Sequence, residues 1–140
     1  MKESQKIGDS MQLHLRNEID LDGDIEVIEE SYPVDVTEKN GFHYLVFVNE
    51  EDEKVIIKCS DEELVMTRFS SPKSVMRFHK DKRALVSLPT PMGVQHFVTE
   101  TSLFRMDQTQ QSIRIDYVLK DQDPESQAVF AEYQLELKWY

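Results

Sequence analysis

The chain has a single cysteine, Cys59, so neither a disulfide framework nor a cysteine zinc site is available to it. No stretch approaches the roughly 20 apolar residues that a membrane-spanning helix needs. The first residues, MKESQKIGDSMQ, are polar and lack the apolar core of a secretory signal. There is no phosphate loop and no strand–turn–helix nucleophile elbow. The four histidines, His14, His43, His79 and His96, never reach metal-ligand spacing and are expected on wet faces. Helical periodicity is missing as well. These absences leave a soluble, cytoplasmic, non-enzymatic domain over residues 1–140, with no cofactor and no metal.

Acidic side chains are abundant: 27 Asp and Glu stand against 16 Lys and Arg, a net charge of −11. Phosphate backbones and anionic lipids repel such a surface, so nucleic acid and membranes are excluded as partners. The distribution is uneven. Residues 20–63 hold 15 acids and only Lys39, Lys54 and Lys58, whereas residues 68–83 carry Arg68, Lys73, Arg77, Lys80, Lys82 and Arg83 against Asp81. Two solvated faces of one fold are expected, with a patch for an anionic partner as the alternative.

Alternation of apolar and polar residues dominates instead. SIRIDYVL puts Ile113, Ile115, Tyr117 and Leu119 on one face, and VFAEYQLELKWY does the same with Val129, Ala131, Tyr133, Leu135, Leu137 and Trp139. Tyr133 is therefore expected to be buried. Asp22-Gly23 and Asn40-Gly41 are two-residue hairpin signals, because both central positions need positive φ. DLDGDIE is a hairpin turn, since its glycine and its twelfth residue do not fall where a calcium loop needs them. Further breaks at NEEDE, CSDEE, SSPKS, KDK, PTPMG, MDQTQQ and DQDPES cut the chain into about ten short strands. In the second strand the apolar parity slips between Val27 and Ile28, which a bulge near Glu29 would explain, with Pro33 on an edge or at the bend. In LPTPMG the prolines are expected to end a strand near Leu88 and make a stiff corner before Val94. Sequential hairpins fit either a sandwich or a closed barrel, and the meander order favours an all-β, antiparallel up-and-down barrel of about 8–10 strands.

The stretches KVIIKCSDEELVMTRFSSPKSVMRF, TPMGVQHFVTET and IRIDYVL resemble the YwiB-like family of small bacterial proteins of unknown function. That resemblance implies a cytoplasmic protein with a calycin-type (lipocalin-like) barrel and carries no functional residue with it. Two ligand signatures of calycin relatives are absent. The one tryptophan, Trp139, is near the end of the chain rather than in a Gly-x-Trp near the first strand, and Arg114 and Tyr117 are spaced onto opposite faces.

Polar residues on the inward faces are the candidate site. Asn17, Tyr117 and Tyr133 need partners if buried, and Thr99 and Thr101 share a face with Phe97. They are expected either to bond one another or to orient a small apolar or amphipathic ligand in the barrel. Arg68 shares parity with Leu64 and Met66, so its stem is expected to run to a barrel end, where the guanidinium either snorkels to water or meets the polar end of a neutral or anionic ligand. Cys59 alternates with Val55 and Ile57 and reads as a small buried hydrophobe. The alternative to a ligand is a barrel filled by side chains that meets a protein partner through its outer surface, as a monomer or homodimer.

Overall fold

Alternation over almost the whole chain gives ten antiparallel strands in sequence: β1 (Met11–Leu21), β2 (Asp24–Lys39), β3 (Phe42–Val48), β4 (Lys54–Cys59), β5 (Glu63–Arg68), β6 (Ser74–His79), β7 (Ala84–Thr90), β8 (Gly93–Asp107), β9 (Ser112–Asp121) and β10 (Val129–Trp139). The computed structural model describes residues 11–123, 125, 126 and 128–140. The polar stretch through Ser10 and Pro124 of the DQDPES turn lie outside the described residues. Each strand pairs with its sequence neighbour, and β1 closes the ring on β10 from Leu13↔Trp139 to Asp20↔Glu132. The result is a closed up-and-down barrel, not a sandwich. Among the described residues there is no helix long and apolar enough to cross a membrane.

Both two-residue hairpins form where the turn signals stand. Asp22 and Gly23 have φ of 59° and 96°, and Asn40 and Gly41 have 54° and 82°, the paired left-handed conformations such turns require. The turns divide the barrel into two ends. The upper end carries the Asp22-Gly23 turn and the β3–β4, β5–β6, β7–β8 and β9–β10 connections; the lower end carries the others and the C-terminus.

The core sits low and central. Leu13, Leu45, Ile57, Cys59, Leu64, Ile113, Ile115, Leu137 and Trp139 are all buried in one cluster. Burial pushes the Cys59 thiol up to about 12, consistent with an inert packing residue. Eight strands already enclose just enough room for side chains, so a ring of ten needs large ones. Phe47, Phe78, Tyr117 and Trp139 supply them, with Met66, Met76, Phe104 and Met106 packed alongside.

Three local expectations need correction. No bulge interrupts β2 near Glu29, because its register with β1 runs unbroken from Met11↔Val34 to Leu21↔Asp24. The parity slip arises because Ile25 and Val27 lie on the outer side of β2 where it runs past the end of β3. The irregularities fall instead between Thr101 and Leu103 of β8 and between Val129 and Ala131 of β10. Second, β7 does not end at Leu88: Pro89 pairs with Val94 and Thr90 with Gly93, so the corner is the two residues Pro91-Met92. Proline is tolerated there because β7 pairs with β6 only at Val75↔Ser87, which leaves Pro89 on a one-sided strand. Third, His43 is not on a wet face. It turns inward at the lower end, 6.0 Å from the Trp139 ring, because it shares parity with Leu45.

Candidate functional site

The register brings four of the six candidate residues to one region near the upper end. Ile19 of β1 pairs with Tyr133, Tyr133 with Tyr117, and Tyr117 with Thr101, a row across four strands, with Asn17 two residues along β1 from it. Tyr117 is buried and stacks on Tyr133 at 4.6 Å with the rings 4° from parallel; its other neighbour is Phe78, at 4.5 Å. Burial raises both phenols above their ordinary range, and the neighbouring Asn17 amide draws Tyr117 partly back. Tyr133 is half-buried rather than buried: its face is inward, but it stands at the rim where few neighbours cover it. Asn17 Oδ1 and Thr101 Oγ1 are buried without a partner among the described residues.

Arg68 is at the same end but in a different place. Its register with Val55 confirms the inward parity, and it lines a mouth cavity of ≈ 140 Å³ with Leu15, Tyr32, Phe47, Val55 and Met66. No residue of the tyrosine row lines that cavity. The guanidinium already faces carboxylates, with Nε 3.7 Å from Glu53 Oε1 and Glu30, Glu50 and Glu51 around the same mouth. The Tyr32 phenol donates to Glu50 Oε2 at 2.7 Å while its ring stacks on Phe47 at 4.6 Å. Burial first, and then these carboxylates, push Tyr32 far above its usual range; the same bond holds Glu50 below its own. Four carboxylates outnumber one guanidinium, so the mouth does not attract an anion.

Thr99 is fully buried and serves the wall instead. Because β6 and β7 share one ladder pair, a seam is left beside β7, and β8 reaches β6 across it. The Thr99 hydroxyl donates to the Arg77 carbonyl at 2.6 Å and closes that seam. Thr99→Val keeps the shape and strands a buried carbonyl, so it should cost about 1–3 kcal/mol in denaturant unfolding. A loss below about 0.5 kcal/mol, the surface range, would show that the seam holds without the bond.

Alternation did not reveal the charge layout of the two ends. The acids of Asp20–Glu30 and Glu50–Glu53 gather at the upper end. The basic segment is divided: Arg68 and Lys73 lie at the upper end, and Lys80, Lys82 and Arg83 at the β6–β7 turn of the lower end. It is not a single patch. Larger grooves lie elsewhere: ≈ 350 Å³ beside Arg16, Arg105, Arg114 and Lys138, ≈ 450 Å³ at the rim between Leu21, Asp22 and Phe130, ≈ 420 Å³ beside Met11, Pro33, Val46 and Lys54, and ≈ 200 Å³ beside Asp116, Tyr117 and Tyr133. The parity slip at Ile25 and Val27 was the one sequence signal for an exposed apolar rim.

Residues 13–137 match the family described as a domain of unknown function (DUF1934). No curated protein matches the chain. Among solved structures, the ywiB protein from Bacillus subtilis is similar, with a TM-score of 0.72 and 21% identity over 93% of this chain and 89% of that one. That likeness shows the fold, and it agrees with the calycin-like barrel that the resemblance of the sequence implies.

Proposed function

The chain belongs to the DUF1934 family, and we propose that it works as a non-enzymatic interaction module whose filled barrel meets a protein partner through the outer surface at its upper end. The room inside the barrel carries this proposal. Pockets for small molecules run to roughly 300–1,000 Å³. The mouth cavity beside Arg68 offers ≈ 140 Å³, and below it the aromatic and methionine side chains meet in one packed cluster. The upper rim, in contrast, leaves Leu21, Ile25, Val27, Val129 and Phe130 exposed. Apolar residues gathered at one edge of a monomer mark contact surfaces more often than chance exposure does.

A small apolar or amphipathic ligand in the barrel is the alternative, favoured by the polar groups of Asn17, Thr101, Tyr117 and Tyr133 near one end. Titration with a fluorescent fatty acid, cis-parinaric acid, separates the two. The filled barrel is expected to show no saturable binding at micromolar concentrations. One-to-one binding that is weakened by Tyr117→Ala or Arg68→Ala would overturn the proposal in favour of the ligand.

A further inference from the structure

β2 runs past the upper end of β3. β2 pairs with β1 from Asp24 to Val34 but meets β3 only from Asp35 onward. Among the described residues, no backbone hydrogen bond reaches the other edge of Asp24–Glu30. Every residue from Asp24 to Glu29 is exposed, Ile25 at 63% and Val27 at 44%. An open strand edge presents a row of N–H and C=O groups that can template another strand. Proteins usually blunt such edges with charged side chains, proline or a bulge. Between Asp24 and Ser31 there is no proline and no bulge, and every charge is acidic, which guards the edge against like-charged strands but not against a basic one.

The charge around this edge has one sign. Glu18, Asp20, Asp22, Asp24, Glu26, Glu29 and Glu30 lie on the hairpin without a lysine or arginine among them. Arg16, at its base, is already beside Glu18, Glu29 and Glu136 at 3.4–3.8 Å. The Glu50–Glu53 turn adds more acid at the same end. A second copy of this chain would set seven carboxylates against seven, in a protein of net charge −11. An occupant of opposite charge gains where a second copy loses.

We propose that the β2 edge from Asp24 to Glu30 takes an extended segment that alternates Lys or Arg with Val or Ile, added as a further strand. This rests on the chain being an interaction module. Main-chain hydrogen bonds supply the attachment, as in other cases of strand addition. Cross-strand neighbours supply the selectivity: Ile25 and Val27 pack against the apolar positions on one face, and Glu26 and Glu30 meet the cations on the other.

The test uses the full chain, a heptapeptide of alternating Lys and Val, and the same peptide N-methylated at alternate residues. Amide hydrogen exchange is the readout. In the free protein the amides of residues 24–30 that point away from β1 should exchange fast, and the heptapeptide should slow them. N-methylation keeps the charge and removes the strand's donors, so it should weaken binding roughly tenfold or more. The double variant E26K/E30K should weaken it similarly while exchange at Leu45 and Ile57 stays slow. Equal binding of the two peptides would overturn the proposal by reducing it to charge attraction. So would no binding of either, or slow exchange at these amides in the free protein, which means that the edge is already covered by this chain or a second copy. Any of those results leaves the interaction module standing as long as no small molecule occupies the barrel; a barrel ligand removes the module whatever the peptides do.

Discussion

Trp139→Ala is expected to cost about 3–5 kcal/mol of stability, the range for losing a large aromatic side chain from a core. Trp139 is 1% exposed and forms the floor of the barrel, paired across β1 with Leu13 and facing His43. Nothing small at that position can cover the lower end. Its indole Nε1 has no hydrogen-bond partner among the described residues, so the contribution comes from the ring's bulk. Trp139→Phe should therefore lose clearly less than Trp139→Ala, because most of the ring's bulk stays and only a smaller cavity is left. Chemical denaturation of both variants checks this. Equal losses would mean that the indole N–H matters and that the floor is built differently.

Tyr117→Ala should have the second large effect, also about 3–5 kcal/mol. The ring stands between Phe78 of β6 and Tyr133 of β10, so its removal separates two walls of the barrel at once. The remaining hole would be apolar on most sides. Engineered cavities of that kind take up benzene-sized molecules. The variant is expected to bind indole detectably by thermal shift, and the natural protein not to. Indole binding by the natural protein would show that room for a ligand exists before any side chain is cut away.

Alternation identified faces, and faces alone explain both the successes and the misses. The hairpins at Asp22-Gly23 and Asn40-Gly41 were legible because a two-residue turn needs two positive φ values, which few residue pairs accept. The inward parity of Arg68 and Tyr133 was legible for the same local reason: side chains alternate along a strand. Height within the barrel is not local. Tyr133 stands at the rim, and Arg68 meets carboxylates from β2 and the β3–β4 turn that no spacing along β5 announces. The parity slip in β2 looked like a bulge because a bulge is the usual cause. A strand that runs past its neighbour produces the same pattern, since without a second partner it need not hide either face. Thr99 shows the limit most plainly. Its partner, the Arg77 carbonyl, is 22 positions away and accessible only because β6 and β7 barely pair.

The proposed role requires that side chains, not a ligand, fill this barrel. Native mass spectrometry of the intact protein, purified from the cells that make it under conditions that keep non-covalent complexes, tests that claim most directly. A mass equal to that of the chain, or of two chains, is expected, with no small molecule released on gentle activation. A reproducible adduct of a few hundred daltons, lost on activation or when the protein is unfolded, would contradict it.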